Sequence, residues 1–189
     1  MNGYLGIDVG SVSTNIVLVD EDGRVVESIY LRTWGQPIAT LQAGLQELKR
    51  RLPSDIKIMG VGTTGSGRRL AGLIVGADVI KNEITAHGIA ASALVPGVQT
   101  IIEIGGQDSK IIILRNGVVR DFAMNTVCAA GTGSFLDQQA ARLNIPIEKF
   151  GEYALQSKEP VRIAGRCAVF AESDMIHKQQ AGCSLPDIL

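Results

Sequence analysis

The sequence predicts an α/β fold in which one structural unit occurs twice. In each unit two strands are joined by a glycine-rich turn, a third strand follows an Asp-Gly or Asn-Gly hairpin, and helices come after the strands. The strand pattern starts again after a Pro-Gly pair at 96–97. We therefore expect a first domain over residues 1–97 and a second over residues 98–189, each with a mixed sheet flanked by helices.

Periodicity assigns the elements of both units. Apolar runs and alternation predict strands, and apolar residues three and four apart predict helices. The expected strands are 4–9, 14–19, 25–31, 56–61, 100–104, 109–114 and 118–124, and the expected helices are 37–52, 82–94, 131–143, 147–155 and 169–180. Residues 68–73 follow a flexible loop and are given no element type. Asn82 is the expected N-cap of the third helix. Ser184, followed by Pro186 and Asp187, has the pattern of a further helix start, so we expect a truncated C-terminus.

Composition limits the function classes. Hydrophobic residues make up 46% of the 189 residues and charged residues 20%, which suits a packed core. The net charge of −1 and the lack of a basic stripe argue against nucleic-acid binding. The sequence has no apolar run long enough to span a bilayer and no signal peptide before the first strand, so we expect a cytoplasmic protein without membrane contact.

Two glycine-rich turns are the candidate phosphate-binding sites. Each joins two strands, which leaves backbone N–H groups pointing outward where they can bind phosphate oxygens. The first contains Asp8, Gly10, Ser11, Val12 and Ser13, and the second contains Glu103, Gly105, Gly106, Gln107, Asp108 and Lys110. Asp8, at a strand end, can hold hydrated Mg²⁺, while Lys110 either reaches a phosphate or is a solvated charge. Because the turns recur at the same place in both units, we expect them to bind the phosphates of one nucleotide.

A third glycine-rich segment covers residues 62–68. Its composition is that of a phosphate loop, but it lacks the lysine of the P-loop pattern. It is interpreted as a mobile loop that faces another domain or a partner.

The two turns resemble the phosphate motifs of the actin/hexokinase/Hsp70 superfamily. GIDVGSVST is similar to its first motif and EIGGQDSK to its second. The resemblance implies an actin-like ATPase fold, with two ribonuclease-H-like domains and the nucleotide between them. The second motif normally starts with Asp, and Glu103 stands in that place. Since Glu adds a methylene, any contact it makes with Mg²⁺ is expected to run through water.

Two cysteines precede helices in the second half of the chain. Cys128 comes shortly before the helix expected from 131, and Cys167 shortly before the helix expected from 169. A helix N-terminus stabilises a thiolate, which is the ligand form for iron–sulfur clusters. Such clusters usually need four cysteines, which a two-fold dimer would supply, while plain burial is the alternative that the spacing leaves open. Cys183, near the end of the chain, is expected to be structural.

The residues around these cysteines narrow the resemblance. NxxCAAGTGxFLD and CxVFAESDMI follow GIDVGS and IGGQDSK in the same order as in the BcrA/BadF ATPase family, and most closely resemble its activators of 2-hydroxyacyl-CoA dehydratases. The match covers essentially the whole chain. Such activators are homodimers with one [4Fe–4S] cluster at the subunit interface, which implies Cys128 and Cys167 as its ligands. Family members continue past residue 189 with a glycine-rich adenosine-binding loop, so this chain is expected to lack that part of the site.

The resemblance implies an ATPase that drives electron transfer. ATP binding and hydrolysis would change the helices at the cluster and send one low-potential electron to a 2-hydroxyacyl-CoA dehydratase, or to a benzoyl-CoA reductase in related members. Reduced ferredoxin or flavodoxin is the expected donor, in an anaerobic setting. The expected ATP or ADP ligands also include Gly131, Thr132 and Gly133, and the expected Mg²⁺ carboxylates are Asp8 and Glu103. Gln107 and Asp108 both stay candidates for orienting the attacking water.

Two other functions stay open at this point. A small-molecule kinase of the sugar type would share the fold, but it would need an acidic base in a substrate cleft and would have no use for two helix-capping cysteines. A regulatory ATPase without redox chemistry is the other alternative.

Overall fold

The computed structural model describes residues 2–53, 55–125 and 132–189. Its strands are β1 (Asn2–Val9), β2 (Ser13–Val19), β3 (Val25–Arg32), β4 (Lys57–Thr64), β5 (Val79–Ile80), β6 (Thr100–Ile104), β7 (Ser109–Arg115) and β8 (Val118–Met124). Its helices are α1 (Pro37–Arg51), α2 (Arg68–Val75), α3 (Glu83–Leu94), α4 (Gly133–Arg142), α5 (Ile147–Ala154), α6 (Ala168–Gln180) and α7 (Leu185–Ile188). The expected strands and helices are present to within a few residues. Helix α2 was not assigned from the sequence, and the two-residue β5 was missed because so short a segment has no period. Nowhere in the described ranges is there a helix with the length and hydrophobicity needed to cross a bilayer.

The first sheet is mixed and has the order β3-β2-β1-β4-β5. β1, β2 and β3 pair antiparallel because tight turns connect them. β4 returns parallel to β1 after the crossover through α1, and β5 is parallel to β4. This topology brings the ends of β1 and β4 to the same edge of the sheet, beside the start of β2. The expected α/β class with a mixed sheet flanked by helices is confirmed.

Alternation along β1 separates the core from the candidate site. Ile7 and Val9 belong to a buried cluster that β1 and β2 share with α1 and α2. Because successive residues of a strand point to opposite faces, Asp8 lies on the face that α1 and α2 do not cover. The same strand therefore anchors the core and presents the carboxylate of the first turn.

The chain divides into two compact units. Their ranges are Met1–Ile101 with Ile112–Phe122, and Ile102–Ile111 with Ala123–Leu189. The second unit has its own buried cluster, formed by Phe135, Ala171, Met175 and Ile188. The expected domains, 1–97 and 98–189, stay a prediction, because they divide the sequence by its repeat whereas these units are defined by contacts.

The second sheet has three strands in the order β6-β7-β8. The hairpin between β7 and β8 turns at Asn116 and Gly117, whose φ angles are 52° and 74°. Two consecutive positive φ values are the mark of a type I′ turn, which Asn-Gly favours. The Asn-Gly pair therefore sets this hairpin locally.

Asp187 connects helix α7 to the chain segment that follows α5. Ser184 is the N-cap of α7 and accepts a hydrogen bond from the Asp187 N–H, so the expected helix start is confirmed. The Asp187 carboxylate accepts from the Ser184 and Ser157 hydroxyls at 2.6 and 2.8 Å, and from the N–H groups of Lys158 and Glu159 at 2.9 Å. These donors, the Ser184 hydroxyl above all, hold the pKa of Asp187 well below its ordinary value.

Replacing Asp187 with Ala is expected to lower the thermal midpoint at about pH 7 by about 2–4 °C. A carboxylate whose pKa is lowered by folding contributes stability above its ordinary pKa, near about 4, and loses that contribution as the pH falls toward the folded-state pKa. The difference in midpoint between the two proteins should therefore be constant down to about pH 5 and shrink below about pH 4. Circular dichroism melts across this range measure it.

Asp22→Ala is the matched control for this comparison. The Asp22 carboxylate makes an exposed ion pair with Arg24, a type of contact that contributes little. A loss in Asp187→Ala that equals the control, or that does not depend on pH, would contradict the assigned role.

Candidate functional site

The first turn is closed by a backbone hydrogen bond and braced by the residue after β3. The Gly10 N–H donates to the Ser13 carbonyl at 2.8 Å, which leaves Ser11 and Val12 at the tip. A Cβ on Gly10 would lie 3.0 Å from that carbonyl oxygen, so glycine fits best there. Thr33 donates its N–H to Val12 O at 2.9 Å and its hydroxyl to Gly10 O at 3.1 Å. The protein's own hydrogen bonds thus set the conformation of this turn.

The second turn repeats this geometry. The Gly105 N–H donates to the Asp108 carbonyl at 2.8 Å, and a Cβ on Gly105 would lie 3.1 Å from the same oxygen. Aligning the two closing hydrogen bonds places Glu103 at the position of Asp8. The two turns are therefore copies of one structure, each with a carboxylate two residues before its first glycine.

Three polar side chains lie in register at the edge of the first sheet. Asp8 stands opposite Asn15 in the pairing with β2 and opposite Thr64 in the pairing with β4. Opposed residues in a ladder project from the same face, so the three side chains form a row. Together with Lys81 they line a cavity of about 350 Å³, whose other lining residues are mostly apolar and come from the strands and α3. The Thr64 Oγ1 atom is buried and has no hydrogen-bond partner among the described residues.

The loop after β4 packs against the end of β1. The Gly67 N–H donates to the Val9 carbonyl at 2.8 Å. Gly65 has a φ of +91°, and a Cβ there would clash with Asp8 Oδ1 and with Val9 O. The Arg68 guanidinium holds the Gly65 carbonyl at 2.9 Å. We expected a mobile loop facing another domain or a partner at 62–68. In the structure residues 62–64 belong to β4, and the loop that follows is hydrogen-bonded to Val9, next to Asp8.

Lys110 joins the two acidic residues of the second turn. Its Nζ donates to Glu103 Oε2 at 2.8 Å and to Asp108 Oδ1 at 2.6 Å. The lysine side chain is 4% exposed, against 18% for Glu103 and 43% for Asp108. Gln107, at the tip of the turn, is exposed. The two candidates for orienting water therefore differ, since Asp108 is held by an ammonium and Gln107 extends into solvent.

Helix α4 begins on the second turn. The Gly133 N–H donates to Gly105 O and the Ser134 N–H donates to Gly106 O, both at 2.9 Å. The first N–H groups of a helix have no partners within it, and here carbonyls of the turn accept two of them. Thr132, the N-cap residue, is fully buried. The turn and the start of α4 are therefore joined by two direct hydrogen bonds, while nucleotide contacts by Thr132 and Gly133 stay a prediction.

Cys167 occupies the N-cap position of α6, so the expectation that it precedes a helix is confirmed. Its backbone is extended, with φ −131° and ψ 121°. The thiol is free and the residue partly buried. Val169 and Phe170, in the first turn of the helix, are 69% and 65% exposed. The thiol is thus flanked by an apolar surface.

The other two cysteines of the sequence are Cys128 and Cys183. Cys183 is free and packs against the buried cluster of the second unit, in keeping with a structural role. Cys128 and Gly131 lie outside the described residues. Within the described part of the chain, groups of three or more His, Cys, Asp or Glu side chains suited to a metal ion do not occur.

Sequence reasoning missed two residues that shape the first turn. Thr33 contacts Gly10 from 23 residues away, and no local pattern marks that contact. Gly65 does lie in a glycine-rich run that stands out in the sequence. Its position beside Asp8 follows only from the parallel pairing of β1 with β4.

Known proteins show the same architecture. The chain is 35% identical over 187 residues to the (R)-2-hydroxyglutaryl-CoA dehydratase activating ATPase of Acidaminococcus fermentans, across 98% of this chain and 70% of that protein. It is 34% identical to the activator of lactoyl-CoA dehydratase of Anaerotignum propionicum, across 98% of this chain and 71% of that one. The solved structure of the activator of the 2-hydroxyisocaproyl-CoA dehydratase from Clostridium difficile, with bound ADPNP, matches with a TM-score of 0.86 at 32% identity, across 98% of this chain and 69% of that one.

These likenesses confirm the actin-like α/β fold that the two phosphate motifs led us to expect. The model of the BadF/BadG/BcrA/BcrD ATPase family matches residues 5–189, which is nearly the whole sequence. The chain therefore belongs to the BadF/BadG/BcrA/BcrD ATPase family.

Proposed function

We propose that this protein is an ATP-dependent activator that delivers single low-potential electrons to a 2-hydroxyacyl-CoA dehydratase. Its similar proteins include activators of three such dehydratases, and one of them was solved with bound ADPNP. Those relatives serve dehydratases for hydroxyglutaryl-CoA, lactoyl-CoA and hydroxyisocaproyl-CoA. The acyl group of the CoA substrate differs among the dehydratases that these activators serve. We therefore propose that the partner enzyme selects it. A reductase of the benzoyl-CoA type is the alternative partner.

The nucleotide is proposed to bind through the backbone of both turns. Preformed turns with outward N–H groups and hydroxyls are suited to phosphate oxygens. The residues proposed to contact ATP or ADP are Gly10, Ser11, Val12, Ser13, Gly105, Gly106, Gln107, Lys110, Gly131, Thr132 and Gly133. Gln107 or Asp108 is proposed to orient the attacking water.

A magnesium ion fits the row at the end of β1. Mg²⁺ prefers oxygen ligands and keeps several waters, and Asp8, Asn15 and Thr64 present oxygen atoms side by side. The buried Thr64 Oγ1, without a partner among the described residues, is an available oxygen. When bound, the ion would neutralise charge that develops on the phosphates. Asp8 is thus the carboxylate proposed to hold it.

The electron is proposed to pass through a [4Fe–4S] cluster bound by Cys128 and Cys167. Cys167 suits the role of a cluster ligand, because its thiol is free and lies at a helix N-terminus that stabilises a thiolate. Two thiols per chain require a homodimer to reach the usual four. The exposed Val169 and Phe170 beside the thiol suit burial at such an interface. Reduced ferredoxin or flavodoxin is the proposed donor.

The hydrogen-bonded junction between the second turn and α4 carries this proposal. Two N–H groups of α4 are bound by Gly105 and Gly106, so a change in the turn is transmitted to the start of the helix. Cys128 lies five residues before α4 begins. A nucleotide that binds two states of the turn with different affinity would therefore bias the surroundings of the thiol. A kinase or a regulatory ATPase would not need this connection.

Iron analysis tests the redox function. After anaerobic reconstitution with iron and sulfide, the protein is expected to hold about four iron atoms per dimer. Cys128→Ser and Cys167→Ser should each abolish the cluster, because each substitution removes two of the four thiolates. Cys183→Ser is the matched control and should retain it, since Cys183 packs against the buried cluster of the second unit. A colourless dimer without iron would overturn the proposed function, and a Cys128→Ser variant that keeps its cluster would overturn the ligand assignment.

Gly65→Ala tests the role of the loop after β4. The added Cβ would clash with the Asp8 carboxylate, so affinity for Mg²⁺–ADPNP is expected to fall by about ten-fold or more, as for a displaced metal ligand. Gly76→Ala is the control, because Gly76 also has a positive φ but open space around its Cβ position. Gly76→Ala should cost about 1–2 kcal/mol of folding stability because of its positive φ, and Gly65→Ala should cost more because its Cβ also meets Val9 O. Titration calorimetry and melts separate the effects, and an equal loss of affinity in both variants would refute the loop's role.

A further inference from the structure

We infer that Lys110 is the built-in cation of the second turn and takes, at Glu103, the place that Mg²⁺ takes at Asp8. The carboxylate of the first turn would then be balanced by an exchangeable metal ion, and that of the second turn by a fixed ammonium. This inference rests on the proposed nucleotide site. It replaces the Mg²⁺ contact that the sequence suggested for Glu103 and the direct nucleotide contact proposed for Lys110.

The two turns differ at one position that faces the carboxylate. Asn15 stands opposite Asp8 in the ladder of β1 and β2, and it carries no charge. Lys110 occupies the same position relative to Glu103 in the second copy, and its ammonium binds the carboxylate directly. The position opposite the carboxylate is therefore a neutral amide in the first copy and an ammonium in the second.

The burial of Lys110 makes this pairing hard to exchange. An ammonium that is 4% exposed is costly to leave unpaired, and here Glu103 and Asp108 both accept from it. A metal ion at Glu103 would have to displace that ammonium from a site where it has two carboxylate partners within 2.8 Å. Glu103 does not fit the role of an available metal ligand.

Oxygen atoms of the Glu103 and Asp108 carboxylates also lie close to Gly105 in the turn. A Cβ on Gly105 would be 3.0 Å from Glu103 Oε1 and 3.2 Å from Asp108 Oδ1. Lys110 therefore holds both carboxylates against the turn from one side, while Gly105 leaves room for them on the other. Asp108, 43% exposed, still presents its carboxylate to solvent. Lys110 is in this sense a positioning residue for Asp108, one of the two candidates for orienting water.

Binding of Mn²⁺ in the presence of ADPNP tests the division of roles. Electron paramagnetic resonance counts the bound Mn²⁺ and measures its affinity without any turnover. The unsubstituted protein should bind one Mn²⁺ per chain with the nucleotide. Asp8→Asn should weaken this binding by about ten-fold or more, whereas Glu103→Gln should change it by less than about two-fold, because Gln can still accept from Lys110.

Removal of the ammonium provides a gain-of-binding test. In Lys110→Met, Glu103 and Asp108 lose their shared cation, and two adjacent carboxylates attract divalent metal. The number of bound Mn²⁺ ions should rise from one to two per chain, and the double variant with Glu103→Gln should return it to one. If Lys110→Met does not fold, the comparison of Asp8→Asn with Glu103→Gln decides the matter, with melts confirming that both variants are folded.

Three results would overturn the inference, and they differ in what else they affect. Equal weakening of Mn²⁺ binding by Asp8→Asn and Glu103→Gln would show that Glu103 is a metal ligand, and it would leave the proposed function standing. A folded Lys110→Met variant that still binds a single ion would also overturn the inference and leave the proposed function standing. No binding of Mn²⁺ with ADPNP by the unsubstituted protein would instead remove the proposed nucleotide site, and the inference with it.

Discussion

A single backbone hydrogen bond, used twice, underlies the candidate site. It runs from the first glycine of each turn to a carbonyl three residues later, at 2.8 Å in both copies. The bond reverses the chain so tightly that a side chain on either glycine would approach the accepting oxygen to within about 3 Å. Because the strands on both sides are fixed by this closure, the carboxylate two residues earlier is held at a constant place relative to the turn.

The surroundings of the two turns have diverged around this shared geometry. The first is braced by Thr33 and by the loop at Gly65 and Gly67, which lies directly against Asp8 and Val9. The second is braced by α4 and carries its own buried ammonium. One copy is therefore arranged as an oxygen-lined row, and the other as a charge-balanced turn tied to a helix. A duplication that kept the backbone and changed its neighbours accounts for both arrangements.

The tie between the second turn and α4 matters most for the proposed electron transfer. A switch needs an element that two sites can bias, and helix α4 starts with N–H groups bonded to the turn while its N-terminal side leads to Cys128. Cys167 is placed at the start of another helix, α6, of the same unit. Helix starts thus serve both ends of the proposed mechanism, because their first N–H groups have no partners within the helix and lie at the positive end of its dipole.

The sequence by itself determined the elements, the repeat and the family. Apolar periodicity located the strands and helices to within a few residues, and the Asn-Gly pair at the β7–β8 hairpin and the caps Asn82 and Ser184 are local signals that the structure bears out. The tertiary structure alone decided which residues meet. Parallel pairing of β1 with β4 brought Gly65 to Asp8, and β3 brought Thr33 to Gly10. Lys110, which the sequence left as either a phosphate contact or a solvated charge, is buried as the shared partner of Glu103 and Asp108. The physical reason is that propensities and caps act within a few residues, whereas the charge state and contacts of a site depend on segments that are distant in the chain and become neighbours only when the sheet forms.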